Sequence, residues 1–193
     1  REDAAVDELI VSEGRSSVLS AIFEELDLVV FPIGVAEVED ELLDHGAEVV
    51  SLPYNILQVQ PYRSIKAKLE AKQVGVLAHS TLFYGLLTGR WAPNKDFAYG
   101  DHRMDRWPNN AVAQRVRQLE AIRPLVSGDV PTMRSAALRF VLSQEGIHGA
   151  ILGPKFAAQL DQLVRECTGD PPYLSEPKLN ALEGRLEHWG VER

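Results

Sequence analysis

Three stretches of this 193-residue chain gather the residue types that handle ligands. In Val74 to Trp91 an apolar run (Val74, Val76, Leu77, Ala78) gives way to His79, Ser80 and Thr81, then to Gly85 and Gly89. Imidazole and hydroxyl groups donate or accept hydrogen bonds, and glycines let a backbone turn tightly or lie close to a bound molecule. The second stretch, Asp101-His102-Arg103-Met104-Asp105-Arg106-Trp107, mixes carboxylates, an imidazole and guanidinium groups. Its spacing matches no standard coordination pattern, so no metal is expected there. The third, Gly153-Pro154-Lys155, precedes an amphipathic segment. A helix N-terminus favours anions, and a lysine beside it adds a point charge. The first and third have competing readings: His79 as a strand-end histidine satisfied locally, Lys155 as a solvated surface lysine.

The elements that must position these residues alternate in type. Leu28 to Phe31, Glu48 to Leu52, the run from Gly75 to Ala78, and Ala150 to Leu152 read as short buried strands. Between and after them, helical spacing predicts Glu37 to His45 (stopped by Gly46), Arg63 to Lys72, Ala111 to Ser127, a segment from Pro131 and Thr132 through Leu142, and Phe156 to Glu166. Asp170-Pro171-Pro172 is a break, and Ser175 is the expected cap of a last helix, Glu176 to Trp189. Residues 1–16 are a weakly patterned lead-in, followed by a short helix capped at Ser16 or Ser17, and 91–110 is a long loop of the kind that is functional or disordered. About four strands alternating with helices predict βα units on a parallel sheet within a single domain, residues 1–193. Such a sheet exposes an edge and an apolar face, so a missing half, a partner chain or a second copy is expected to cover it.

Composition bounds the partners. A net charge of -8 argues against nucleic acid or an anionic membrane surface. No apolar run approaches the ~20 residues needed to span a bilayer. The acidic start Arg1-Glu2-Asp3 is no secretory signal, and the single Cys167 suits a reducing compartment. A cytoplasmic protein is the expectation. The first residue is not Met, which fits a processed or trimmed chain or a piece of something longer.

The wording of several segments, in order, resembles the aldo-keto reductase family. Ala78-His79-Ser80-Thr81-Leu82 followed by Gly85-Leu86-Leu87-Thr88-Gly89 is similar to that family's cofactor-lining strand and loop. Leu52 to Leu57, Gly100-Asp101-His102-Arg103, Ala136 to Leu142, and Ile151 to Lys155 with Gln159-Leu160 resemble further family segments. The resemblance runs from about Val49 to Leu163. It implies the C-terminal half of a (β/α)8 TIM barrel and NADP(H)-dependent reduction of a small carbonyl substrate by hydride transfer. It implies that His79 stands where an aromatic ring stacks on the nicotinamide, and that Ser80 and Leu82 approach the pyrophosphate, with Gly85 in the same cofactor-binding loop. Gly153, Pro154 and Lys155 fall on the loop that grips the 2′-phosphate, and Gln159 on the adenine side. Trp91, Arg103 and Trp107 fall on the substrate side.

Two positions depart from the family pattern. Ser51 replaces a glutamine that would hold the carboxamide, and Leu163 an asparagine that would face the adenine. Each lost side-chain amide removes hydrogen bonds worth about 1 kcal/mol. None of the family's catalytic Asp, Tyr, Lys and His can be placed on this sequence. Leu26 to Pro32 resembles a family strand, but in one alignment the catalytic histidine becomes Pro32; in the other, Val29 to Gly34 is a later strand. The expectation is therefore a reductase whose catalytic acid comes from outside the chain. The alternative is an inactive subunit that binds a partner protein.

Overall fold

The computed structural model describes residues 30–32, 43, 47–107, 109–167 and 172–191. The lead-in 1–16, the helix after Ser16 or Ser17, most of the Glu37 to His45 helix, and the Asp170-Pro171 part of the break lie outside them. Four strands form one parallel sheet in the order β1-β2-β3-β4: β1 (Val30–Pro32), β2 (Val49–Pro53), β3 (Gly75–His79) and β4 (Gly149–Ala150). Val49 and Val50 suit a pleated strand because their branched side chains lose little there. β2 and β3 align Val49 with Gly75 and Pro53 with His79. The ladder continues one step as Tyr54 donates its N–H to the His79 carbonyl at 3.1 Å.

Helices cover the sheet. α1 (Gln60–Arg63) and α2 (Lys66–Ala71) stand where one helix from Arg63 to Lys72 is expected. Pro61 fits the first turn of α1, moving the start forward, and the chain breaks at Ser64, whose hydroxyl donates to the Pro61 carbonyl. Within the 91–110 stretch, the described residues form a short helix, α3 (Arg103–Arg106), before the next helix begins at Asn109. α4 (Asn109–Gln118) stops well short of Ser127. Pro124 lacks an N–H and its ring would press on the carbonyl four residues back, so the chain tightens into two 3-10 turns, Leu119–Ala121 and Arg123–Leu125. The apolar spacing survives, with Leu119, Ile122 and Leu125 all fully buried.

α5 (Met133–Leu142) is the central helix, buried from Met133 to Val141. Thr132 caps it, its hydroxyl accepting the Ser135 N–H at 3.0 Å. Its stacked Phe140 and Tyr54 rings, 5.7 Å apart, join it to the end of β2. β4 is shorter than expected, two residues rather than the span to Leu152. After Ile151 donates to the Ala78 carbonyl at 2.8 Å, β3 turns away at Ser80 and leaves Leu152 nothing to pair with. α6 (Ala157–Cys167) and α7 (Glu176–His188) complete the described chain. Ser175 occupies the cap position of α7 in extended conformation, but its side chain makes no capping bond.

β3 shows how the layers close. Val76 and Ala78 are buried, whereas Gly75, Leu77 and His79 between them are half-buried. Helices thus cover one face of this strand fully and leave the other only partly filled. Among the described residues no helix is long and apolar enough to cross a membrane.

Candidate functional site

The residues with chemical potential gather at the carboxyl ends of β3 and β4, where parallel sheets place ligands. At Ser80 the backbone turns left-handed, with φ of 54°. For a residue with a Cβ this conformation is uncommon and costs about 1–2 kcal/mol, so neighbours must hold it. Asn55 does: its amide donates to the Ser80 carbonyl at 3.1 Å while its own oxygen accepts the Leu57 N–H at 3.0 Å. Asn55 is fully buried. The Ser80 hydroxyl is hydrogen-bonded to His79 Nδ1 at 3.0 Å, which couples these two side chains to one another at the strand end.

The strain continues beyond Ser80. Phe83 and Tyr84 also have positive φ, 47° and 57°, ahead of Gly85 at 98°. Three consecutive left-handed residues project two aromatic side chains from the sheet end, an arrangement that only Gly85 adopts freely. Thr88 closes the turn by donating to the Gly85 carbonyl at 2.7 Å. Backbone strain of this kind concentrates at ligand-handling sites. Leu82 is half-buried and packs against the core.

Sequence reasoning picked out Trp91 and Trp107 but missed the cluster they belong to. Phe83 meets Trp107 edge-on at 4.9 Å, and Trp91 meets both Phe97 at 5.1 Å and Trp107 at 5.9 Å. Trp107 is 5% exposed, its indole N–H buried without a hydrogen-bond partner. Cations sit over these rings: Arg106 above Tyr84 at 4.2 Å, Arg103 above Phe97 at 4.9 Å and Arg115 above Phe83 at 5.8 Å. The density of aromatic residues between Phe83 and Trp107 was the available signal. Arg103 is further held by Asp101, with Nε and Nη2 at 2.9 and 2.5 Å from its carboxylate. Those hydrogen bonds hold the Asp101 carboxyl well below the usual carboxylate range. Asp101 and Arg103 thus lock the loop that carries Trp107.

The second segment follows β4. Gly153 and Lys155 are exposed, and Pro154 is half-buried. Gln159 reaches back so that its side-chain oxygen accepts the Lys155 N–H at 2.7 Å, which caps the start of α6. Because Ala150 pairs with Ala78, this loop and the Ser80 turn rise from neighbouring strands. Leu163 is buried, as is Ser51 on β2, so neither presents a side chain freely to a ligand.

What fixes α6 against α5 is a pair sequence reasoning did not find. Arg134 on α5 grips Glu166 on α6 in bidentate fashion, Nε and Nη2 lying 2.9 and 2.6 Å from its oxygens. Ser135 adds a bond from its hydroxyl to the Glu166 carbonyl at 2.9 Å. The 32-residue separation hides such a pair from any local pattern.

A sequence model of the Aldo/keto reductase family matches residues 35–170, and the chain belongs to that family. Among solved structures it is similar to a glycerol dehydrogenase from Gluconobacter oxydans, with a TM-score of 0.66 at 20% identity over 76% of this chain and 44% of that one. An aldo-keto reductase from Bacillus halodurans in its holo form matches with a TM-score of 0.54 at 16% identity over the same shares. The fold is therefore that of aldo-keto reductases, parallel strands alternating with helices, and the chain spans less than half the length of these two structures. No curated protein sequence matches.

Proposed function

We propose that this chain is the C-terminal, cofactor-side half of a (β/α)8 TIM-barrel aldo-keto reductase, a cytoplasmic oxidoreductase that reduces a small carbonyl substrate with NADP(H). The observation that carries this reading is the pairing of two loops at adjacent strand ends. One is the strained Ser80 to Gly85 turn; the other is the Gly153 to Lys155 loop leading into α6. The donor set fits a dinucleotide. Ser80 offers a hydroxyl, Gly85 permits close approach of backbone, and the start of α6 supplies a helix N-terminus with Lys155 beside it. His79, at the end of β3, is the residue for the nicotinamide end, Leu82 lies in the same turn, and Pro154 and Gln159 shape the adenosine end. Trp91, Arg103 and Trp107 would border the substrate. NADPH supplies the hydride; this chain binds and orients it, and the group that protonates the carbonyl oxygen belongs to residues outside the chain.

A second reading is an inactive family member that binds a partner protein. It is favoured by Gln159, whose side-chain oxygen is already used in capping α6, and by the burial of Leu163. Fluorescence titration separates the two. On the reductase reading NADPH quenches tryptophan emission saturably, NADH binds at least about tenfold more weakly, and Lys155→Ala removes that difference. Equal affinity for both nucleotides would overturn the 2′-phosphate assignment, and no binding of either would favour the partner-binding protein.

A further inference from the structure

Both loops of the candidate site are tied to the first turn of α5. Thr132 caps that helix in extended conformation, so Met133, Arg134 and Ser135 leave the cap in fixed directions about 100° apart. Met133 turns to the Ser80 side. A Cβ on Gly89 would clash with Met133 Sδ and lie 3.3 Å from its Cγ, so the thioether is seated directly on the Gly89 backbone. Glycine permits this for two reasons: it has no side chain, and it adopts the left-handed φ of 72° freely. Gly89 ends the 3-10 turn Phe83–Thr88. It donates its N–H to the Leu86 carbonyl at 3.0 Å, and Leu87 donates to the Leu82 carbonyl at 3.1 Å. Met133, Leu86 and Leu87 are all buried, and in a densely packed interior a shift of one side chain is felt by its neighbours.

Arg134 and Ser135 turn to the other loop. Arg134 grips the Glu166 carboxylate and Ser135 the Glu166 carbonyl, which fixes α6. The Gly153 to Lys155 loop runs into that helix, with Gln159 of α6 accepting the Lys155 N–H. A core methionine is ordinarily an adaptable gap filler. Met133 differs in the bare glycine backbone beneath it and in its two following residues, which are bound to α6.

We propose that Met133 is a positioning residue of the nucleotide site. Seated on Gly89, it ties the Ser80 to Gly89 turn to the Arg134–Glu166 clamp and so fixes the spacing between the two loops. The role rests on the reductase reading for its purpose, since an extended dinucleotide must meet both loops at once. The tie itself is packing within the chain. A site whose parts are held in place beforehand loses less free energy to ordering when its ligand arrives.

Amide hydrogen exchange of the 193-residue chain without nucleotide tests the tie. Met133→Ala should speed exchange at Leu87 and Gly89 about tenfold or more over the β2–β3 ladder, because their hydrogen bonds then open locally. Met133→Leu, close in volume, should stay within about threefold of the wild type. Glu166→Gln weakens the clamp without touching the turn, and should also speed Leu87 and Gly89 relative to the ladder. Combined with Met133→Ala it should add no further acceleration there, since groups in one network do not act independently. In a fluorescence titration Met133→Ala should bind NADPH about tenfold more weakly, the equivalent of one lost polar contact. Equal acceleration of turn and ladder in Met133→Ala, or unchanged exchange at Leu87 and Gly89 in Glu166→Gln, would overturn the tie. Unchanged NADPH affinity in Met133→Ala would overturn the positioning role while leaving the cofactor reading intact. The expected exchange pattern in a chain that binds no NADPH would uphold the tie and overturn the cofactor reading.

Discussion

Removing the Glu166 carboxylate should be among the most damaging single changes available in this chain. Its partner Arg134 retains only 11% of its side-chain exposure and Glu166 9%, so Glu166→Ala leaves a guanidinium buried without its counter-charge. Breaking a buried pair from one side destabilises by about 3–5 kcal/mol. The partial exposure of both groups points to the lower end, about 3 kcal/mol. For a domain whose total stability is on the order of 5–15 kcal/mol this is a large fraction. In urea, with a slope near 2 kcal/mol per molar, the midpoint should fall by roughly 1.5 M. Equilibrium unfolding followed by circular dichroism measures it. The double variant Arg134→Met with Glu166→Leu removes both charges, and should recover most of the loss because apolar replacement of a buried pair is commonly neutral or better. A loss under about 1 kcal/mol for Glu166→Ala, or a double variant no better than the single, would refute the reasoning.

Three further outcomes follow from particular contacts. Gly146→Ala should destabilise by about 2 kcal/mol or more, read as a drop in thermal midpoint. Gly146 has φ of 84°, and an added Cβ would sit 2.3 Å from the Tyr62 hydroxyl, displacing that hydroxyl from the Glu145 carbonyl it donates to at 2.8 Å. His148→Ala should speed hydrogen exchange at Val76 over its neighbours in β3, because His148 Nδ1 accepts the Val76 N–H at 3.0 Å; unchanged protection would count against that bond. Asp101, its folded pKa depressed by Arg103, should remain ionised at pH 3, below the ordinary aspartate value of ~3.9. Its contribution to loop order is therefore present in full above the unfolded value and is lost only as pH falls through the depressed folded one. A carboxyl ¹³C shift titrating near pH 4 would contradict this.

The strands were readable because their signals are local. Val49-Val50 and Val74 to Ala78 are short apolar runs bounded by Gly, Pro and polar residues, and the parallel order follows from the helices between them. Helix extents were less readable. Pro124 truncates α4, and Pro61 starts α1 early; both effects are local, but each competes with an apolar spacing that runs straight through. At the candidate site, the glycine turn and the loop before α6 were visible as residue types. The left-handed backbone at Ser80, Phe83 and Tyr84 was not, since none of these residues announces it and Asn55, 25 positions away, supplies the restraint. The Arg134–Glu166 clamp and the edge-on contact of Trp91 with Trp107 depend on how distant segments meet in space.

The most direct test of the proposed function is binding of NADPH to this chain by isothermal titration calorimetry. The two adjacent loops predict saturable binding in the micromolar range, weakened about tenfold by Ser80→Ala or Lys155→Ala as single polar contacts are lost. A well-folded chain that takes up no heat of binding at millimolar NADPH would contradict a cofactor half-site built on Ser80, Gly85 and Lys155.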